Sequence, residues 1–291
     1  MTILFIARHF TYFRNFDSVI EALARHGHRV HLAADREDGL GGRGLVDALA
    51  AKHPGVTVGD TPIREWGRYR RVASALRLGL DYLRYSDARF ADMPKIRRRA
   101  YDRTPLFILL LARLPGRRVL TWVLERIEEA VPSQLGVDEF ITNRRPDLLL
   151  ITPLIELGSP QLDYLRAARR HGIRSALCVW SWDHLSSKAL IRVRPDAVLV
   201  WNEVQRGEAA QFHGIPAGEV HVTARSASIA GSTGRHRAVA TSSAAAPGCA
   251  TTGPSSSTSA RRSFAAAPPR RSSCAAGWPP SAPRPIRRSR A

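Results

Sequence analysis

A doubly wound α/β sheet is predicted for residues 1–223, and three observations predict it. The chain opens on strand, helix and strand in close succession, which implies parallel pairing through a right-handed crossover. Its apolar runs are continuous rather than alternating, as strands buried on both faces require. The same rhythm of strand and helix returns between residues 147 and 223.

Each element has its own signal. Ile3 to Ala7 is an unbroken apolar run and reads as the first strand. The loop RHFTYFRNF follows. Asp17 is placed to cap a helix whose Val19, Ile20, Leu23 and Ala24 fall at helical spacing, and Gly27 ends it. RVHLAA is the second strand. Residues 64–131 read as mostly helical, with arginines and leucines alternating at helical spacing and Pro105 and Pro115 as punctuation. Those basic faces read as solvated helix surface or, more sharply, as a contact for anionic lipid or a charged acceptor. Glu128 and Glu129, adjacent rather than one turn apart, are expected to face solvent. Asp147–Ile151 reads as a buried strand, Pro160–His171 as a helix closed by Gly172, and Arg174–Trp180 as a strand. Pro195–Trp201 is a further strand, Glu203–His213 a helix, and a last strand begins at Glu219–Thr223.

Charge has to be located before it is interpreted. The chain carries a formal +19, a value that alone suggests nucleic acid or an anionic membrane. Residues 224–291 hold 11 Arg and no Asp or Glu, so residues 1–223 carry 33 basic against 25 acidic side chains, a net +8. Only Lys52, Lys95 and Lys188 are lysines, an arginine bias that points to a GC-rich gene before it points to a ligand. Cysteine is confined to Cys178, Cys249 and Cys274, with no paired spacing for a disulfide framework or zinc. Cys178 sits in an apolar run and is expected to be buried and inert. His26, His28 and His31 straddle a helix end and a strand, so no metal site is expected there. The opening run reaches Arg8 too soon for a signal peptide, and Leu106–Ala112 is far short of the ~20 residues that span a bilayer. A cytoplasmic protein is expected, in peripheral contact with the inner face of a membrane.

After Thr223 the pattern stops. Ala, Ser, Arg, Pro, Gly and Thr dominate, only Phe264 and Trp278 are aromatic, and the tail is expected to be disordered as written. The genetic code explains it as a slipped reading frame. One lost nucleotide turns codons with a middle T, which encode apolar residues, into codons beginning with T, mostly serine in GC-rich DNA. Restoring one G before Ala224 lets ARSASIAGST regroup to GAQCFDRWFD and PSSSTSARRS to PFLLYVCSSL, a buried-strand pattern. From Pro269 the same shift yields PEAEFVRRWVAALRAS, an amphipathic helix with Glu early and Arg late. Residues 224–291 are therefore read as an out-of-frame second domain. A genuine basic tail that binds nucleic acid is the alternative, and it predicts salt-sensitive binding lost on deleting those residues.

Two polar clusters follow predicted strands. His9 lies just after the first strand, where its near-neutral pKa suits a general base on a hydroxyl. Arg14 and Asn15 in the same loop can meet an anionic acceptor. The loop has no glycine-rich phosphate cradle, so NAD is disfavoured. WSWDHLSSK, residues 180–188, is the densest polar–aromatic stretch. Asp183 and His184 can orient or deprotonate a hydroxyl, Trp180 or Trp182 can stack on a sugar face or fill the core, and Ser186, Ser187 and Lys188 can bind phosphate. Asn202 follows the next strand at the same edge.

ILFIARHFTYFRNFDSVIEALARHGHRVHLAAD resembles the first β-α-β unit of glycosyltransferases with two Rossmann-like domains, the GT-B architecture. Residues 179–223, from VWSWDHLSSK to GEVHVT, resemble the end of the N-terminal domain of bacterial surface-polysaccharide members. Non-hydrolysing UDP-sugar 2-epimerases share the fold. The resemblance covers residues 1–223. It implies an N-terminal acceptor domain, a C-terminal domain for a nucleotide-sugar donor, and chemistry in the cleft between them without a tightly held metal or other cofactor. It further implies a cell-surface glycan or lipid-linked acceptor and no specific nucleic acid. His9 and Asp183 are then the residues expected to activate the acceptor. The chain as written, lacking a donor half, is expected to be inactive.

Overall fold

The computed structural model describes residues 1–36, 41–62, 69–132 and 135–223. The reading of residues 224–291 as a disordered, out-of-frame tail lies outside them. Among the described residues seven strands form one wholly parallel sheet: β1 (Thr2–His9), β2 (Arg29–Arg36), β3 (Val56–Asp60), β4 (Leu148–Thr152), β5 (Arg174–Cys178), β6 (Ala197–Val200) and β7 (Val220–Val222). Their order across the sheet is β3-β2-β1-β4-β5-β6-β7. The chain steps outward from β1 to β3, returns to pair β4 with the other side of β1, and steps outward again. That reversal between β1 and β4 is the point where open α/β sheets bind ligands, beyond the carboxyl ends of the strands.

Alternate side chains of the central strands feed two cores. Ile3, Phe5 and Ala7 of β1 join Val30, Leu32 and Ala34 of β2 beneath α1 (Asp17–Arg25) and α2 (Gly42–Lys52), through Ile20, Val46 and Leu49. Leu4 and Ile6 join Leu149, Ile151, Leu177 and Val198 on the opposite face. There α7 (Leu135–Arg144), α8 (Leu162–Arg170) and α9 (Glu203–His213) bring Ile141, Leu165 and Ala209. Helices on both faces account for the continuous apolar runs. Cys178 is buried in the first core, and burial pushes its thiol up to about 12, outside any reactive range.

Local details differ from expectation. Asp17 is the first residue of α1 rather than its cap; Phe16 holds the cap position, and Asp17 Oδ1 accepts from the Ser18 N–H at 2.6 Å. The RHFTYFRNF stretch is a 3-10 helix, Phe10–Asn15, rather than a loop. α2 starts at Gly42 because its backbone rests on that 3-10 helix, and a Cβ there would overlap the Thr11 backbone.

Among the described residues between β3 and β4 are four further helices: α3 (Arg70–Tyr85), α4 (Pro94–Arg103), α5 (Leu106–Leu111) and α6 (Arg117–Ala130). Leu76, Leu80, Leu83, Ile108 and Leu124 form a core shared by α3, α5 and α6, while α4 packs Ala100 against Tyr85 and Phe90. A buried ionic network fastens them to α8. Arg77 Nε donates to Glu128 Oε1 at 2.7 Å, and its Nη2 donates to Asp163 Oδ1 at 2.6 Å. Arg166 Nη1 donates to the same Glu128 oxygen at 3.0 Å. Glu128 is 2% exposed, which corrects its expected place on the solvent face. Burial works to raise its pKa, yet the Arg166 and Arg77 contacts outweigh it and hold the carboxyl below its ordinary value. No helix among the described residues is long and apolar enough to cross a membrane.

Candidate functional site

The carboxyl ends of β1, β2, β4 and β5 meet above the switch point. Phe10, Phe13 and Phe16 point down from the 3-10 helix into the core, where Phe13 and Phe16 meet Phe5 edge-on at 5.1 and 5.3 Å. The residues between them are left near the surface. His9, the last residue of β1, stacks on Tyr12 with ring centres 6.0 Å apart, and Tyr12 meets Trp180 edge-on at 4.6 Å. Asn15 Nδ2 donates to the Trp180 carbonyl at 2.9 Å. The structure thus brings the two sequence clusters together over the end of β4.

Asp183 sits in a cage of its own segment. Ser187 Oγ donates to its Oδ2 at 2.8 Å, Ser181 Oγ donates to Oδ1, and Lys188 Nζ lies 3.5 Å away. Burial pushes its pKa upward, but these contacts prevail and hold it below the usual carboxylate value. Asp183 is therefore a carboxylate that accepts hydrogen bonds and a weak base.

The other expected site residues fall in different environments. His184 is wholly buried, and burial drives its imidazole down to about 3, so it is neutral; its Nδ1 accepts from the Trp180 N–H at 3.4 Å. Trp182 is 77% exposed and Arg14 is exposed. Asn202 caps α9, its Oδ1 accepting from the Gln205 N–H at 2.9 Å. Ser186 and Ser187 both turn their hydroxyls to the Asp183 carbonyl, at 3.5 and 2.8 Å. Ser187 and Lys188 also line the cleft that opens beside this segment.

That cleft, of about 340 Å³, is bounded by Arg8 and Arg36 at the strand ends, Arg99 and Arg103 on α4, and residues 156–160 after β4. Arg8 and Glu156 form an ion pair across it. Asp35 closes its floor, with Thr61 Oγ1 donating to Oδ1 at 2.8 Å and Gln161 Nε2 to Oδ2 at 3.2 Å. Burial pushes Asp35 up to about 7 against those hydrogen bonds. Sequence reasoning missed Arg8, Asp35, Arg36, Arg99, Arg103 and Glu156. The rule that ligands bind at strand carboxyl ends, applied to the second strand as it was to the first, points to Asp35 and Arg36.

One helical hairpin carries an unusual surface. On α5 and the turn after it, Leu106 is 70% exposed, Phe107 55%, Leu110 51% and Leu114 60%, and on α6 Val119 and Trp122 join them. Arg113, Arg117 and Arg118 flank them in sequence. Among the described residues no group of three or more His, Cys, Asp or Glu is placed to hold a metal ion.

No protein-family model matches the chain, and no curated protein matches it. The functional reading therefore stands on fold and site geometry.

Proposed function

We propose that residues 1–223 form the acceptor-side half of a glycosyltransferase that takes a sugar from a nucleotide-sugar donor. One observation carries the reading: the polar–aromatic segments after β1 and β5 converge beside a charged cleft at the sheet's switch point. In the reaction the acceptor hydroxyl loses its proton, its oxygen bonds to the sugar's anomeric carbon, and the bond from that carbon to the nucleotide diphosphate breaks. Asp183, kept ionised by its serine cage, suits orienting the hydroxyl. His9 suits removing the proton. Arg14, Asn15, Trp182, Ser186, Ser187, Lys188 and Asn202 are the proposed substrate-binding set, and His184, expected from the sequence to act on a hydroxyl, is wholly buried and supports the wall from behind instead. No tightly held cofactor is proposed.

The acceptor is proposed to be a surface glycan or a lipid-linked precursor met at the inner face of the membrane. The exposed α5–α6 surface supports the lipid-linked choice. The deciding experiment restores the reading frame after residue 223 and screens the full product against nucleotide-sugars with membrane-derived acceptor. Acceptor-dependent sugar incorporation is expected, and His9→Ala is expected to lower kcat by about 100-fold or more. Epimerised nucleotide-sugar produced without acceptor would instead establish the epimerase reading.

A further inference from the structure

The switch-point cleft gathers more positive charge than its own carboxyls balance. Arg8, Arg36, Arg99, Arg103 and Lys188 line it against only Asp35 and Glu156. Glu156 is engaged by Arg8, and both Asp35 oxygens accept from neutral donors. Lys188 alone has Asp183 near it. Among the described residues, Arg36, Arg99 and Arg103 form no ion pair, and Arg36 feels the Asp35 carboxyl only as a neighbouring charge. Arg99 and Arg103 are one helical turn apart on α4, a spacing at which like charges repel. On the sheet side, Arg36 lies in register with His9, next to Arg8. Burial holds the Arg8 guanidinium below its ordinary value, with the charges of Arg36 and Arg103 adding to the effect and that of Asp35 opposing it. A fold that converges four guanidinium groups on one concavity, at a cost in mutual repulsion, is built to be completed by an anion.

We infer that this cleft is a binding site for a phosphate or diphosphate group, held between Arg99 and Arg103 of α4 and Arg8 and Arg36 at the strand ends. Planar guanidinium forks match phosphate oxygens two at a time, which favours phosphate over a single carboxylate. A concavity of about 340 Å³ fits a diphosphate and not a nucleic-acid duplex. Beside it, a shallower depression lined by Ser74, Leu78 and Pro105 shares Ser74 with the cleft and leads to the start of α5. The phosphate can therefore belong to a soluble molecule or to an amphiphile whose tail follows that path to Leu106 and Phe107. The inference deepens the sugar-transfer proposal by naming the chemical class of its acceptor.

The test titrates inorganic pyrophosphate into the full chain by calorimetry at low salt. Saturable binding is expected, weakened at least about tenfold in Arg99→Ala/Arg103→Ala, and weakening as salt rises. Arg25→Ala, an exposed arginine at the end of α1, controls for net charge and is expected to bind within about twofold of the parent. Arg36→Gln supplies a second lesion on another element should the double variant unfold. Farnesyl diphosphate distinguishes the sources. Tighter binding than pyrophosphate, lost in Leu106→Ser/Phe107→Ser, assigns an amphiphile, and equal binding assigns a soluble phosphate. Failure of pyrophosphate to saturate at millimolar concentration overturns the site, as does equal weakening by Arg25→Ala. Loss of sugar transfer in a frame-restored protein that still binds pyrophosphate through Arg99 and Arg103 would sink the transferase reading alone.

Discussion

Asn15 and Trp180 lie 165 positions apart in the chain, yet the Asn15 amide donates to the Trp180 carbonyl at 2.9 Å. The bond spans the end of β4 and joins the segment after β1 to the segment after β5. Tyr12 reinforces it by resting edge-on against the Trp180 ring. The rim of the proposed acceptor site is thus one connected unit, with His9 at one end and the Asp183 cage at the other.

Asn15→Ala should therefore loosen the rim without disrupting the core. The half-buried carbonyl loses its donor, at a stability cost of about 1 kcal/mol. The near-UV circular dichroism of the tryptophans should weaken while the far-UV spectrum holds. An unchanged near-UV spectrum would mean that Tyr12 alone fixes Trp180.

The Arg77 network predicts a larger effect. Arg77 faces Glu128 and Asp163 at once and also donates to the Ser159 carbonyl at 3.1 Å. Arg77→Met leaves two carboxyls buried beside each other, and breaking such a group costs about 3–5 kcal/mol. Replacing all three by apolar residues of similar size should recover part of that loss, because the buried charges leave together and only the partly exposed Arg166 loses its partners. Urea unfolding of the single and triple variants measures both. A loss under about 1 kcal/mol for Arg77→Met would falsify the anchoring role.

How much of this was legible in the sequence follows from how local each signal is. β1, β2, β4 and β6 announce themselves as apolar runs, and α9 coincides with its expected Glu203–His213 span, because burial on both faces and helical period are written in neighbouring residues. The edge strand β3 and the helices α2 and α7 drew no reading. Val56–Asp60 is short and only partly buried, and α2 opens on Gly42, whose role is close contact with Thr11. Glu128 looked solvent-facing because its partners, Arg77 and Arg166, sit on other helices. The cleft was half legible. Ser187 and Lys188 were singled out as phosphate contacts, but Arg99 and Arg103 looked like an ordinary basic helix face, since only the tertiary fold sets them opposite Arg8 and Arg36.

Acid should destabilise the domain through its buried histidines. Burial lowers His184 to about 3, and lowers His213 and His31 to about 4, from an ordinary 6.5. His213 shows why: Nδ1 accepts from the Ile191 N–H at 3.1 Å while Nε2 lies 2.7 Å from the Leu185 carbonyl, so a second ring proton would face a donor. The unfolded chain binds these protons below pH 6.5 and the folded chain refuses them. Their contribution is complete above pH 6.5 and is lost as pH falls toward 4, at up to about 1.4 kcal/mol per pH unit for each proton. Asp35, raised to about 7, acts in the opposite sense: its contribution is full below about 3.8 and fades as pH rises through 7. Asp81 and Glu208, also raised by burial, act in the same sense as Asp35, and the three large histidine shifts outweigh them to leave a net loss on acidification from pH 6.5 to 5. Unfolding free energies at pH 7, 6 and 5 should decrease in that order, and His213→Gln should flatten the slope. A flat or rising series would show that these rings stay accessible to protons.

The exposed hairpin makes the last expectation. Leu106, Phe107, Leu110 and Leu114 together expose an apolar stripe on an element that also packs Ile108 fully into the insertion's core, so the stripe is a fixed feature of the fold. Arg113, Arg117 and Arg118 flank it in sequence, and the proposed membrane contact would set this apolar and basic stripe in an anionic bilayer interface. Vesicles of phosphatidylcholine with about a third phosphatidylglycerol should take up the protein, and pure phosphatidylcholine should take up much less. Each fully buried Leu or Phe contributes at most about 1.5–3 kcal/mol, so Leu106→Ser/Phe107→Ser should weaken partitioning at least tenfold even at partial insertion. Trp122 on the same surface reports the depth: its fluorescence should shift to the blue on anionic vesicles, and Trp122→Phe should remove that shift. Equal binding by Leu106→Ser/Phe107→Ser would assign the membrane contact to charge alone, and the apolar stripe would then lose its proposed role.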